Sequence, residues 1–311
     1  MQVDQPRLLR RRRSSAGQRL DPLVLPAPHR NVSVASADGT LLHVSVYGNE
    51  DAPTIVLAHG ITQQQRCWSY QVADLAADYR IVAFDHRGHG RSGRASSYLM
   101  DDLGDDLQAV LATCVPRGER AVVAGHSLGG ITIMSWASRH PDEVAERAAA
   151  TLLVNTAPSE IAQHLLMIGL PKPLHPAVPY VVRERLLAII RSRSRIPLRM
   201  LALGEIAEPM FLDAIAAMMA DAPGATLRPM ITDLLRMDLT DRLWCLDVPT
   251  VVIGGMRDRL LPPIHCDHIA TRLPKLDQYV MIPGSGHMSP WEARETVSQL
   301  IAETAKTHLH S

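Results

Sequence analysis

The stretch Ala121-Val122-Val123-Ala124-Gly125-His126-Ser127-Leu128-Gly129-Gly130 constrains this chain more than any other. Its first half is a short apolar run of β type, its second half opens a helix, and Gly-x-Ser-x-Gly lies between them. A serine at such a strand-to-helix turn is held in a sharp, strained conformation with its hydroxyl exposed, a nucleophile elbow. Gly125 and Gly129 flank Ser127 because backbone passes close to the turn and a Cβ would clash there. The helix that follows aims its N-terminal amides at the oxygen of a reacting carbonyl.

Strands and helices can be read on both sides of this elbow. Two alternating runs, Asn31 to Ser36 and Leu41 to Tyr47, flank Asp38-Gly39, which predicts a hairpin. Thr54 to Ala58 is continuously apolar, as expected of a strand covered by helices on both faces, and it ends at His59-Gly60-Ile61-Thr62. A helix is predicted from Trp68 to about Asp78, and a strand from Arg80 to Phe84. Asp101 to Thr113 has helical periodicity, with Leu103, Leu107, Val110 and Leu111 on one face. Its acidic cluster, Asp101, Asp102, Asp105 and Asp106, reads as a complement to the helix dipole rather than a metal site. Thr151 to Asn155 is a further strand. From about Pro158 to Asp241 the pattern is helical and broken by prolines, and strands resume only at Val248 to Gly255 and Gln278 to Ile282. The last strand runs into Pro283-Gly284-Ser285-Gly286-His287, and a helix from about Ser289 to Thr304 closes the chain.

The sequence resembles the α/β-hydrolase family from about residue 30 onward. The resemblance is carried by His59-Gly60, Asp85-His86-Arg87-Gly88-His89-Gly90-Arg91-Ser92, Gly125-His126-Ser127-Leu128-Gly129-Gly130, Gly255-Met256-Arg257-Asp258 and Gly284-Ser285-Gly286-His287, in the family's order. It implies an α/β fold with a mostly parallel central sheet flanked by helices, and a helical cap inserted over the site. Residues 29–157 and 242–311 would form the core and residues 158–241 the cap. It also implies that the backbone N–H groups of Ile61 and Leu128 form an oxyanion hole. His59 would brace its loop without transferring protons, and the charges of Asp85 to Ser92 would be structural.

Ser127, Asp258 and His287 fall in the order Ser…Asp…His of that family. Each lies just beyond a strand's C-terminal end, where open α/β sheets bind ligands. A serine hydroxyl is a poor nucleophile near neutral pH, so His287 would take its proton as general base. Asp258 would fix the tautomer of His287 and stabilise the imidazolium. Asp247 and Asp267 are nearby alternatives, but one precedes the strand and the other sits well into the next helix. A serine nucleophile, rather than aspartate, argues against epoxide hydrolase or dehalogenase chemistry. The expected activity is a carboxylesterase or lipase on an aliphatic ester, with no cofactor and no metal. Cofactor-free haloperoxidase or perhydrolase chemistry, thioester hydrolysis and C–C hydrolysis are alternatives on the same triad, and a non-catalytic ligand-binding protein is another.

Composition narrows the partners. With 32 basic and 32 acidic residues the formal net charge is zero, so no global field favours nucleic acid. No apolar run approaches the roughly 18 residues that span a bilayer. Cys67, Cys114, Cys245 and Cys266 show neither zinc nor Cys-x-x-Cys spacing and read as reduced core residues, which suits a cytoplasmic protein. Residues 1–28 carry Arg7 and Arg10 to Arg13 among prolines and read as a disordered tail, with weak contact to a membrane surface as a second reading. Seven of the thirteen methionines lie in the inserted stretch: Met167, Met200, Met210, Met218, Met219, Met230 and Met237. They suggest a deformable apolar lining for a variable alkyl chain. Gln63, Gln64 and Gln65 are candidates for the pocket mouth.

Overall fold

A computed structural model describes residues 21–162, 178–192 and 195–309. Arg7 to Arg13, Met167 and the prolines at 171, 173 and 176 lie outside the described residues.

Eight strands form one sheet: β1 (Arg30–Ala35), β2 (Leu41–Tyr47), β3 (Thr54–Ala58), β4 (Arg80–Phe84), β5 (Ala121–His126), β6 (Ala148–Val154), β7 (Thr250–Gly255) and β8 (Leu276–Ile282). Their order is β1-β2-β4-β3-β5-β6-β7-β8, antiparallel at β1–β2 and β2–β4 and parallel from β4 onward. The β1–β2 hairpin turns through Gly39 at φ +84°, with Ser36 N–H bonded to Thr40 O at 2.9 Å. β3, β4, β5 and β6 are buried along their whole length, which explains why they read as unbroken apolar runs.

Helices cover both faces. α1 (Ser69–Leu75) follows a short 3-10 turn, α2 (Met100–Cys114) precedes β5, and α3 (Leu128–Arg139) and α4 (Pro141–Arg147) follow it. Between β6 and β7 lie α5 (Val178–Ser192), α6 (Arg195–Ala202), α7 (Pro209–Asp221) and α8 (Gly224–Leu234), with no strand among the described residues of that insertion. α9 (Ile264–Ala270), α10 (Ser289–Glu292) and α11 (Arg294–His308) complete the chain. The single closing helix expected from Ser289 is therefore two, broken at Ala293. The core splits into two apolar clusters. One includes Leu103, Leu107, Val123, Ile131 and Trp136, and the other Ile55, Leu57, Trp68, Phe211 and Trp291.

The acidic start of α2 has a tertiary reason that the dipole reading did not contain. Arg87, fully buried, forms two 2.7 Å bonds to Asp106 and reaches Asp38 at 3.0 Å. Asp101 and Asp105 pair with Arg139, and Asp105 also meets His140. Burial would neutralise Arg87, but the carboxylates around it keep it charged. Among the described residues no group of His, Cys, Asp and Glu is arranged to hold a metal ion, and the four cysteines are buried and free. No single described helix is long and apolar enough to cross a membrane. Residues 21–28 rest on the body: the Pro22 carbonyl accepts from Ser69 Oγ at 2.7 Å, and Leu23 and Leu25 pack against the second cluster.

Candidate active site

Ser127 sits between β5 and α3 at φ +53°, ψ −115°, a conformation that costs a non-glycine residue ~1–3 kcal/mol. The surroundings hold it there. Its N–H donates to Val154 O at 2.9 Å, and its carbonyl accepts from Gly130 N–H at 2.9 Å and Thr156 Oγ1 at 2.8 Å. A Cβ on Gly125 would collide with Gly129 O, and one on Gly129 with Ala58 O. Both glycines are thus required for the elbow to press against the end of β3. Thr62 and Asn155 also have positive φ, so backbone strain gathers at the C-terminal ends of β3, β5 and β6.

Asp258 and His287 meet at the next strand ends. His287 Nδ1 lies 2.8 Å from Asp258 Oδ2, and both side chains are almost fully buried. The other Asp258 oxygen accepts from the N–H groups of Leu260 at 2.9 Å and Leu261 at 2.8 Å. With the carboxylate as acceptor, His287 presents Nδ1–H to it and leaves Nε2 for another group. The alternatives fall elsewhere, since Asp247 pairs with Lys275 and Asp267 accepts from Tyr279 Oη at 2.6 Å.

Asn155 completes this corner and was missed in the sequence. Its Nδ2 donates to Asp258 Oδ2 at 3.0 Å and to Gly286 O at 3.1 Å, bridging the acid to the loop that carries His287. Only its place at the end of a predicted strand hinted at a role. Glu292 was missed as well. Its carboxylate accepts from Gly204 N–H at 2.7 Å, and from the N–H groups of Gly286 and Met288 at 3.1 Å, tying the insertion to the His287 loop. Burial pushes this carboxyl above the usual range, against the opposing pull of those amides. His287 N–H itself donates to Ala202 O at 3.0 Å.

The loop carrying Ile61 is fixed by neutral histidines. His59 Nδ1–H donates to Gly60 O at 2.7 Å, and Nε2 accepts from His86 N–H at 3.0 Å. His86 Nε2–H returns a bond to His59 O at 2.9 Å, and His89 Nε2 accepts from Thr62 N–H at 3.3 Å. His126 Nε2–H donates to His287 O at 2.7 Å, while Cys67 Sγ faces its Nδ1 at 3.7 Å. Burial pushes all four imidazoles down, His86 and His126 to about 3. Among the described residues, the N–H groups of Ile61 and Leu128 have no protein acceptor.

Ser127, His287, Ile61 and Leu128 open onto one cavity of about 940 Å³ of empty space, its mouth included. Its polar lining is Thr62, Gln63, Ser127 and His287, and the rest is aliphatic or methionine. Of the three glutamines only Gln63 lines it; Gln64 bonds Asp221 and Gln65 accepts from Tyr47 Oη. The methionine-rich lining is also corrected. Among the described methionines of the insertion only Met219 reaches the cavity, whereas Met218 and Met230 are packed in the core clusters and Met200 faces solvent. Ile189, Ile190, Leu198, Ile215 and Ile231 form the wall instead, and beside Ile231 the preceding Met230 points into the core.

Such an arrangement suits acyl transfer: a hydroxyl, an imidazole oriented by a carboxylate, and two backbone amides line one largely apolar cavity. A bifunctional esterase/perhydrolase from Acinetobacter calcoaceticus is 26% identical over 277 residues, covering 86% of this chain and 96% of that protein. An esterase from Exiguobacterium antarcticum superposes with a TM-score of 0.75 at 18% identity, covering 89% of this chain and 100% of the other. A bromoperoxidase from Bacillus anthracis gives 0.72 at 20% identity, with the same coverage. At these identities the two structures establish the fold. The sequence profile of the alpha/beta hydrolase family matches residues 55–300. The chain belongs to the alpha/beta hydrolase family, as a hydrolase related to esterases.

Proposed function

We propose that the protein is a serine acyl hydrolase that cleaves an aliphatic carboxylic ester through an acyl-enzyme on Ser127. The observation that carries this reading is the 2.8 Å Asp258–His287 contact opening onto the same aliphatic cavity as Ser127. His287 Nε2 takes the Ser127 proton as Oγ attacks the ester carbonyl. The resulting oxyanion is held by the Ile61 and Leu128 amides. Protonated His287 then gives its proton to the departing alkoxide, the C–O bond breaks, and the alcohol leaves. Water, activated by the same imidazole, hydrolyses the acyl-enzyme. The insertion between β6 and β7 acts as the cap, and its aliphatic side chains receive the acyl group. This favours an acylglycerol or other alkyl ester over an aryl or charged acyl group.

A fluorophosphonate probe should label wild-type protein at Ser127 and leave Ser127→Ala unlabelled, and nitrophenyl esters from acetate to laurate should be turned over. Absence of both labelling and turnover would return the chain to a ligand-binding role. Peracid formation is a second reading, favoured by the relative whose name includes perhydrolase. Hydrogen peroxide replaces water in attacking the same acyl-enzyme, and peracid formation from acetate with peroxide distinguishes the two.

A further inference from the structure

A second chamber lies inside the insertion, between α5, α7 and α8, with about 760 Å³ of empty space including its opening. It shares two lining side chains, Ile190 and Met219, with the cavity above Ser127. Those two residues are therefore a partition with space on both sides. Leu187, Ala222 and Leu227 make its inner walls apolar. At its rim stands Arg228, half exposed and bonded to Glu184 at 2.8 Å, so the far end meets water. The two partition residues differ in stiffness. Ile190 is β-branched and keeps one rotamer on a helix, whereas Met219 has three rotatable bonds and can swing aside.

We propose that the second chamber is the distal subsite for a medium- to long-chain aliphatic acyl group, with Met219 as the movable partition between it and the Ser127 cavity. This rests on the ester-hydrolase reading above. The carbonyl end of the chain sits at Ser127 and its proximal methylenes fill the first cavity. The remaining methylenes pass Met219 and Ile190 into the second, and the terminus reaches the hydrated rim. Continuity decides the occupant: the chamber adjoins the catalytic cavity across two residues, and its inner walls offer alkyl contacts without a buried charge to satisfy. Each methylene taken from water contributes roughly 0.8 kcal/mol, up to about fourfold in kcat/KM. Specificity should therefore keep rising past the length that fills the first cavity alone.

Gly224 provides a lining position where a large side chain can be placed with little strain. It lines the chamber at the start of α8, and a Cβ built on it meets nothing within 4 Å. The measurement is kcat/KM for nitrophenyl butyrate and laurate, together with the Kd of free laurate by displacement of an apolar fluorophore. Gly224→Phe should lower the laurate-to-butyrate ratio about tenfold or more and weaken laurate binding to match, the loss of two or so buried methylenes. Met219→Ala, which removes the movable half of the partition, should raise that ratio severalfold. Butyrate turnover by the wild type decides the ester reading separately. If butyrate is cleaved and both folded variants keep the wild-type ratio, the distal subsite is overturned while the ester reading stands. If no ester is cleaved, the ester reading falls. Laurate binding that Gly224→Phe leaves unweakened then overturns the subsite too.

Discussion

The two walls of the cavity are built on opposite principles. Every polar lining residue, Thr62, Gln63, Ser127 and His287, comes from loops at the strand ends of the core. Every described lining residue of α5 to α8 is apolar. The core wall is over-determined by hydrogen bonds: Asp258 accepts four, the His59–His86–His89 set is interlocked, and Ser127 is held at positive φ. The insertion lines the cavity with apolar side chains and meets the His287 loop through the Glu292 carboxylate, the Ala202 carbonyl and the Glu205 and Ile206 N–H groups bonded to Gly284 O. Chemistry that needs atoms placed to within a fraction of an ångström belongs on the first wall. Selection of a flexible chain needs only volume and apolarity and can be left to the second.

The comparison breaks most severely at Ser127. Ser127→Ala should lower kcat by roughly four orders of magnitude with the fold intact, read by ester turnover alongside circular dichroism. Retention of more than about a tenth of wild-type activity would show that the polar wall does not supply the nucleophile.

Acid should lower the stability of the fold through the histidines packed behind the polar wall. Burial pushes His86 and His126 down to about 3 in the fold, against about 6.5 for an unfolded imidazole. Between those values the unfolded chain binds more protons, so stability is full above about pH 6.5 and declines as pH falls toward 3. The slope is about 1.4 kcal/mol per pH unit for each of the two, with His59 and His89 acting in the same direction. Urea unfolding from pH 7 to 5 measures it. A flat profile would mean that these histidines are not buried as neutral bases.

Asn155→Asp tests the corner where acid and histidine meet. It keeps the shape but replaces a donor to Asp258 Oδ2 with a second carboxylate about 3 Å away. Two adjacent carboxylates cannot both remain ionised without cost, so kcat should fall ten- to a hundredfold with KM little changed. An equal loss from Asn155→Ser, which removes the bridge without adding charge, would assign the effect to the lost hydrogen bonds alone.

The mildest effect is expected on the apolar wall. Leu186 lines the cavity and is only half-buried, so Leu186→Trp fills space without unseating the core. The preferred ester should shorten by a methylene or two, at about fourfold each, while fluorophosphonate labelling persists. Slower labelling together with an unaltered chain-length profile would mean that the two walls are not independent.

Much of the polar wall was legible because its rules are local. The elbow needs a strand, two small residues and a helix within ten positions, and steric exclusion at Gly125 and Gly129 enforces it. The fully buried strands and the Asp38-Gly39 hairpin are fixed in the same way, by short-range sterics and hydrophobic runs. What the tertiary structure decided involves partners far apart in the chain. Nothing near Asn155 announces that its amide faces a carboxylate 103 residues later, nor near Glu292 that it collects an amide from 88 residues earlier. The acidic start of α2 reads as a local device until Arg87 is found buried against it. The methionines show the same limit, since Met218 and Met219 are interchangeable in composition. A helix turns about 100° per residue, and that rotation places Met218 in the core and Met219 at the partition between two chambers.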